Sequence, residues 1–239
     1  MSIFSKGDIG FADEYIKCNL ESDDLESLLN YIAINHNSLE KIYHGSWINN
    51  QILKVIRLFQ NNNLKNSKTF IKKHYDLGND FYKLWLDDSL TYSSAIFNSE
   101  NESLANGQQN KYCRIIEKLK DCESQKEILE VGSGWGGFAK LATQHNFNVT
   151  GLSLSKEQIT YCRELINTHN LDKSFKVKLQ DYRHEKGVFD NIVSIEMFEA
   201  VGQKYWPEFF KMMQDCLKQK GTAIIQTITI DHQYLKKYS

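Results

Sequence analysis

The chain has 239 residues, 41% of them hydrophobic, which is enough to bury one sizeable core with a smaller helical attachment. Its formal net charge is −1 and no run of Lys or Arg stands clear of neighbouring acids, which argues against nucleic acid as a partner. The five cysteines form no C-x-x-C pair, so we predict no metal site, and the sequence has neither an apolar leader nor an apolar run of about 18 residues. These features predict a cytoplasmic protein whose only membrane contact is peripheral, on the inner face of the membrane.

The amino-terminal part of the sequence is predicted to be helical. Apolar residues recur at three- and four-residue spacing in "DDLESLLNYIAINHNSLEKIYH" (23–44) and "WINNQILKVIRLF" (47–59), with no strand pattern. The polar stretch "QNNNLKN" (60–66) is predicted to be an exposed loop. We therefore divide the chain into a helical amino-terminal cap, residues 1–66, and a second domain, residues 67–239.

An aromatic and acidic segment, "KKHYDLGNDFYKLWLDDSLTYSSAIF" (72–97), opens the second domain. Within it, Phe81 and Trp85 are best explained as core residues that pack a helix. The following stretch, "SLANGQQNKYCRIIEKLKDC" (103–122), has the apolar spacing of another amphipathic helix.

Five short β-branched runs then alternate with helical intervals. They are "EILEVG", "FNVTGLSL", "FKVKLQD", "FDNIVSIE" and "GTAIIQTITI", the last at 221–230. Strands that alternate with helices of this length form parallel βαβ units. The sequence therefore predicts an α/β domain with a parallel sheet.

The first strand runs directly into "GSGWGG" and a helix-like segment. Glycines at 132, 134, 136 and 137 allow a tight turn and a close approach of the backbone to a ligand. The turn also lies at the amino end of a helix, whose dipole favours negative groups. This position predicts a nucleotide-type site rather than a simple packing turn.

The residues near the turn restrict the type of nucleotide. A dinucleotide fold needs an acid about 20 residues on, whereas "NVTGLSLSKEQ" offers Ser153, Ser155 and Gln158. No lysine follows the glycines at the spacing of a phosphate-binding loop. The S-x-x-Q pattern of Ser155 and Gln158 is also that of a helix capping box, so these two residues can serve a structural role as well.

Six motifs, in order along the chain, carry a resemblance to a known family. They are "HYDLGNDFY", "LTYSSAIF", "LEVGSGWGGFA", "LSLSKEQ", "QDYR" and "IEMFEAVGQKYW". Their order and spacing resemble the cyclopropane fatty-acyl-phospholipid synthase family, which includes the mycolic acid cyclopropane synthases. The resemblance implies a Rossmann-like class I methyltransferase of lipid biosynthesis. Such an enzyme uses S-adenosylmethionine to alkylate a double bond in an unsaturated membrane phospholipid.

The resemblance also implies which residues surround the methyl donor. Tyr92 and Ser93 would contact its methionine part, and Glu130, which replaces the usual aspartate, would begin the segment on its other side. The matching positions in this sequence are Tyr92, Ser93, Glu130, Val131, Gly132, Ser133, Gly134, Trp135, Gly136, Gly137, Phe138, Ser153, Leu154, Ser155, Gln158, Tyr182 and Arg183. The aromatic segment is then expected to cap the donor and the mouth of a lipid pocket.

A bound bicarbonate ion is the base that the resemblance implies for ring closure. Glu199 and Ile228 match two of its holders, whereas Ser94 and Gln226 stand where the family has cysteine and histidine. Neither side chain replaces a titratable imidazole. We therefore expect methyl transfer to be retained more readily than ring closure, with a methyl-branched or methylene product as the hypothesis. Glu196 is expected to be structural.

The resemblance ends shortly after the fifth predicted strand, at "TITIDHQYLKKYS". Sheets of this class normally have seven strands, so we expect an internal segment of a longer relative with five of them, an open pocket and an exposed sheet edge. Two alternatives remain open. One is a donor-binding remnant with weak or no activity, and the other is a methyltransferase for small molecules. A homodimer is also left open.

Overall fold

The computed structural model describes residues 3–35, 78–119 and 126–231. The chain divides into two compact units, residues 1–61 and 62–239. The helix predicted at 47–59 and the loop predicted at 60–66 lie outside the described residues, and the predicted domain boundary after residue 66 stays a prediction.

The first unit contains two described helices, α1 (Ile3–Ile16) and α2 (Leu25–Ile34). Asp24 caps α2, because its side chain accepts a hydrogen bond of 2.9 Å from the backbone N–H of Ser27. The helical prediction is therefore confirmed for the described part of 23–44.

The second unit is an α/β domain. Its helices and strands are, in chain order, α3 (Gly78–Lys83), α4 (Leu104–Leu119), β1 (Glu127–Val131), α5 (Gly137–Gln144), β2 (Asn148–Ser153), α6 (Lys156–His169), β3 (Phe175–Leu179), β4 (Phe189–Ile195), α7 (Trp206–Cys216) and β5 (Leu217–Gln226). All strand pairs are parallel, in the order β3-β2-β1-β4-β5. The predicted Rossmann-like parallel sheet is confirmed. The strand order reverses between β1 and β4, which opens a crevice at the carboxyl ends of the strands.

Alternation along β1 separates two hydrophobic cores. Ile128 belongs to the core that includes residues of α4, α5 and α6, whereas Leu129 and Val131 belong to the core built with α7. Successive side chains of a strand point to opposite faces of a sheet. Helices therefore cover both faces, which is why the strands read as nearly continuous apolar runs.

Strand β5 begins earlier than its sequence predicts. It spans Leu217–Gln226 instead of 221–230, and Leu217 already pairs with Phe189. A register shift between Phe189 and Asn191 interrupts the pairing, and Lys220 near it has a left-handed backbone (φ 67°). The first half of the strand is polar, so its sequence shows neither the apolar run nor the alternation that would predict a strand. Its end places Gln226 beside Ile195, at the carboxyl edge of the sheet.

The aromatic segment packs differently from its prediction. Phe81 and Trp85 are 41% and 47% exposed, whereas Tyr82 between them is only 2% exposed. The ring centroid of Tyr82 lies 5.0 Å from that of Trp135. Helix α3 has only six residues, so a single side of it can face the core. The assignment of Phe81 and Trp85 to the core was therefore wrong.

Candidate active site

A cavity of about 440 Å³ lies at the carboxyl ends of β1, β2 and β4. Its volume is within the range of small-molecule sites. Most residues that the resemblance assigns to the methyl donor line it, namely Tyr92, Ser93, Glu130, Val131, Gly132, Ser133, Gly134, Trp135, Gly137, Ser153, Leu154, Gln158, Tyr182 and Arg183. Their convergence on one cavity supports the assignment, which stays a prediction.

Three of the assigned residues lie outside this lining. Gly136 is the N-cap of α5, and a Cβ there would lie 3.1 Å from the ring of Phe175. Phe138 is a fully buried core residue. Ser155 is the N-cap of α6 and is also buried. All three stabilise the elements that carry the site.

The glycine-rich turn is tied to the neighbouring strand. The backbone N–H groups of Gly132 and Ser133 both donate to the carbonyl oxygen of Leu152, at 3.1 and 2.9 Å. Gly132 has φ +89°, and a Cβ at this position would lie 3.0 Å from Met197. Only glycine meets both conditions without strain, so the turn can present its backbone to a ligand.

Glu130, the fourth residue of β1, places a carboxyl group in the cavity wall. It is only 3% exposed, and its Oε2 atom has no hydrogen-bond partner among the described residues. Burial raises the pKa of this carboxyl well above its ordinary value. A buried acid without a partner is suited to a cationic ligand, which would supply the missing interaction.

The capping prediction is half confirmed. The Ser155 hydroxyl accepts a hydrogen bond of 3.2 Å from the backbone N–H of Gln158. The Gln158 side chain does not return to the backbone of Ser155 as a capping box requires, because its Oε1 accepts a hydrogen bond of 2.7 Å from Ser153. Ser153 and Gln158 are thereby fixed in the cavity wall.

An ion pair orders the far wall of the cavity. Asp181 Oδ1 accepts hydrogen bonds from the backbone N–H and Nε of Arg183, and Oδ2 accepts one of 2.7 Å from Nη2. Burial acts to raise the pKa of Asp181, but these hydrogen bonds outweigh it and the pKa is lowered. Burial also raises the pKa of Tyr182 to about 12. The guanidinium of Arg183 lies 5.5 Å from the centre of the Tyr182 ring.

A buried lysine holds the segment above the cavity. Lys111 on α4 is 2% exposed, and its Nζ donates hydrogen bonds of 2.5 Å to Ser93 Oγ and to Gln108 Oε1. Burial lowers the pKa of Lys111 to about 8, although the charges of Glu196 and Asp87 act in the opposite direction. Helix α4 thus fixes the position of Ser93, although the two are far apart in sequence.

The four residues that the resemblance assigns to bicarbonate form two separate groups around different carboxylates. Ser94 and Gln226 both donate to Oε1 of Glu196, with Ser94 Oγ at 2.7 Å and Gln226 Nε2 at 2.9 Å. The backbone N–H of Ile228 instead donates to Oε1 of Glu199. These donors are already used by protein carboxylates, so the arrangement does not fit a free bicarbonate ion.

Glu196 has a position in the cavity wall in addition to the hydrogen bonds that fit its expected structural role. We expected it to be structural, and it also lines the cavity, whereas Glu199, Ser94, Gln226 and Ile228 are not among the lining residues. Its position was the available signal, because acids at the carboxyl end of a parallel strand lie at the ligand crevice. Asp181 was missed in the same way, although it follows β3.

The described residues contain no helix long and apolar enough to cross a membrane.

The parallel sheet, its strand order and the cavity at the glycine-rich turn define a class I methyltransferase fold. More particularly, the chain belongs to the mycolic acid cyclopropane synthetase family, whose model matches residues 62–238. The family resemblance of the sequence is thereby confirmed.

Individual relatives agree with this family. The chain is 31% identical over 227 residues to the cyclopropane-fatty-acyl-phospholipid synthase of Escherichia coli, covering 95% of this chain and 57% of that protein. It is 28% identical over 235 residues to the tuberculostearic acid methyltransferase UfaA1 of Mycobacterium tuberculosis, covering 95% and 54%. The chain thus spans just over half the length of these curated relatives.

Solved structures show the same fold. The mycolic acid cyclopropane synthase CmaA1, complexed with SAH and CTAB, is 30% identical with a TM-score of 0.66, covering 71% of this chain and 60% of that one. The cyclopropane synthase MmaA2 from Mycobacterium tuberculosis is 31% identical with a TM-score of 0.63, covering 69% and 58%.

Proposed function

We propose that this chain binds S-adenosylmethionine in the cavity and transfers its methyl group to a double bond of an unsaturated fatty-acyl phospholipid. The observation that carries the proposal is the buried Glu130 carboxyl, which faces the cavity beside the glycine-rich turn and whose Oε2 has no partner within the described part of the chain. The ligand is a cation with an ammonium and a sulfonium group, and it therefore matches this acid. The similar synthase CmaA1 is described in complex with SAH.

Other residues of the cavity would hold and orient the donor. When bound, S-adenosylmethionine supplies an electrophilic methyl group. The glycine-rich turn allows the backbone at Gly132 to lie against the ligand, and Gln158 offers a fixed side-chain amide. Tyr182 and Arg183 provide flat faces on which an aromatic base can stack. An alkene competes as a nucleophile only where water is kept away from the methyl group, and the apolar part of the cavity wall favours this.

The acceptor is inferred from the relatives and from the apolar part of the wall. One relative is named as a cyclopropane-fatty-acyl-phospholipid synthase and another as a tuberculostearic acid methyltransferase. In this chain Ile195, Met197 and Val201 line the cavity and can contact an acyl chain. Exposed Leu84 and Trp85 support a peripheral contact with a membrane surface. The cytoplasmic side of the membrane stays a prediction from the sequence. The homodimer stays a prediction.

A matched pair of lipids tests this proposal. We expect calorimetry to detect binding of S-adenosylmethionine, and we expect radiolabelled methyl groups to enter vesicles of dioleoyl but not distearoyl phospholipid. Both vesicle types carry the same headgroup, so only the double bond differs. Donor binding without transfer would identify a binding remnant, and transfer to soluble acceptors without vesicles would identify a small-molecule methyltransferase. Absence of donor binding would refute the proposal as a whole.

The product distinguishes the two chemical outcomes that the sequence left open. Proton NMR of the extracted lipid would show upfield resonances if the ring closes. An unsaturated methyl-branched chain or a methylene chain would lack them and would still gain the mass of one CH2 group, because a methyl group is added and a proton is lost.

A further inference from the structure

Methyl transfer to an alkene leaves a cation on the acyl chain, and a base must then remove a proton. Three acids line the cavity in the described part of the chain, namely Glu130, Asp181 and Glu196. Glu130 is the buried acid assigned above to the donor. Both oxygens of Asp181 accept hydrogen bonds from Arg183. Of these three acids, Glu196 is therefore the one that can accept the proton from the acyl chain.

The carboxylate of Glu196 is anchored through one oxygen. Its Oε1 accepts three hydrogen bonds, from the backbone N–H of Ser94 (3.0 Å), from Ser94 Oγ (2.7 Å) and from Gln226 Nε2 (2.9 Å). Gln226 Nε2 also donates to Ser94 Oγ at 3.1 Å, which closes the cluster. Its Oε2 accepts no hydrogen bond from the described residues. One oxygen is thus fixed and the other is available for a proton.

The backbone of Glu196 supports a functional role. It has φ 47°, a left-handed conformation that costs a non-glycine residue about 1–2 kcal/mol. Its N–H donates to the carbonyl oxygen of Gln226, so the residue is held at the carboxyl edge of the sheet. Such strain persists where the surrounding structure enforces it, often at active sites.

The surroundings of Glu196 suit proton transfer from an acyl chain. Ile195 and Met197, its neighbours in sequence, line the same cavity and provide an apolar wall. Ser94 is kept in place through Ser93, whose backbone carbonyl accepts a hydrogen bond of 2.8 Å from Gln108. Glu196 itself is only partly buried, so it can return the proton to water.

We propose that Glu196 is a catalytic residue of the proposed reaction, serving as an internal base in place of a bound anion. The inference rests on the proposed function. The alkene would form a bond to the methyl carbon with its π electron pair, and the electron pair of the broken carbon–sulfur bond would stay on sulfur, which leaves as the neutral thioether S-adenosylhomocysteine. The neighbouring carbon becomes positive, and Oε2 of Glu196 takes a proton from the added methyl group or from an adjacent carbon. The electron pair of that C–H bond closes a ring or forms a double bond, and the carboxylate becomes a carboxylic acid.

Two variants of the full chain test the inference. In Glu196→Gln we expect formation of the deprotonated lipid to fall at least about 100-fold, which is the usual contribution of a general base. The affinity for S-adenosylmethionine should change by less than about twofold, because the donor-binding residues are unchanged. Glu102→Gln is the matched control. Glu102 also accepts hydrogen bonds from a backbone N–H and a side-chain amide, those of Asn98 and Asn110, but it does not line the cavity.

Glu196→Gly separates catalysis from folding. Glycine adopts a positive φ without strain, which offsets part of the loss of the three hydrogen bonds to Oε1, so we expect this variant to remain folded while losing product formation. Added formate should restore part of its product formation and should not accelerate the parent or Glu102→Gln. Undiminished product formation in both Glu196 variants would overturn the inference, and so would the absence of formate rescue. If the parent chain itself bound no donor or methylated no lipid, the proposed function would fail instead.

Discussion

Replacing Glu130 by glutamine changes one carboxyl oxygen into an amide nitrogen in a fully buried wall of the cavity. Oε2 of this carboxyl lacks a partner among the described residues, and burial raises its pKa. The Glu130 carboxyl therefore binds its proton more strongly in the folded chain than in the unfolded chain. Glutamine keeps the shape but does not titrate. The substitution should consequently act on stability and on ligand binding in opposite directions.

The effect on stability follows from proton linkage. The Glu130 carboxyl has an ordinary pKa near 4.5 and a higher one in the folded chain, so its contribution to stability falls as pH rises between these two values. In that interval the parent loses about 1.4 kcal/mol of unfolding free energy per pH unit, a loss that glutamine does not suffer. The stability of Glu130→Gln relative to the parent should therefore increase steadily above pH 4.5.

The effect on binding has the opposite sign. A cationic donor stabilises the ionised form of the Glu130 carboxyl, so binding of the donor releases the proton of this carboxyl. Donor binding therefore becomes tighter as pH rises toward the pKa of Glu130 in the ligand-free chain. Glutamine removes the charge, and the loss of one partner of a buried charge pair costs about 2 kcal/mol or more. We therefore expect the affinity for S-adenosylmethionine to fall about 30-fold or more.

Urea unfolding followed by circular dichroism from pH 5 to pH 8, together with calorimetry, measures both effects. Glu127→Gln is the control, because Glu127 lies on the same strand but is exposed. Parallel pH profiles of unfolding free energy for the parent and Glu130→Gln would refute the reasoning about the buried carboxyl. Unchanged donor affinity would refute its assignment to the cation.

Other substitutions test the packing and the backbone of the domain. Phe209→Ala should cost about 3–5 kcal/mol of unfolding free energy in urea titrations, because this ring is fully buried between β4 and α7 and contacts Tyr182. Gly132→Ala should cost about 1–2 kcal/mol in the same assay, since alanine is strained at φ +89°, and calorimetry should show weaker donor binding because the new methyl meets Met197. Ser155→Ala should cost about 1 kcal/mol through loss of the α6 cap, with a matching fall in the thermal midpoint. For each of the three variants, an unfolding free energy within about 0.3 kcal/mol of the parent's value would contradict the physical cause given for that variant. A difference of this size is no larger than the usual scatter of mutational free energies.

Local patterns predicted the elements of the second unit well. The β-branched runs predicted all five strands, because strands buried on both faces require apolar residues almost continuously. The glycines of "GSGWGG" predicted the turn, since positive φ angles exclude most other residues. The predictions were wrong where the secondary structure or burial of a residue depends on contacts with residues distant in sequence or on the packing of a whole helix. The polar start of β5 is a strand only because Leu217 pairs with Phe189, and Phe81 is exposed because Tyr82 takes the inward position.

At the site, too, some features follow from the local sequence and others only from the tertiary structure. The six motifs of the sequence determined the family and the class I fold, because each motif reflects the local backbone and side-chain requirements of one turn or strand end. Ser94, Glu196 and Gln226 are separated by 102 and 30 residues. The pairing of β4 with β5 brings Gln226 beside Glu196, and the hydrogen bonds of α4 to Ser93 hold Ser94 at the same carboxylate oxygen. A sequence records which residues follow one another, but hydrogen bonds depend on distance in space. For that reason the tertiary structure alone decided that Glu196, and not Glu199, lines the cavity.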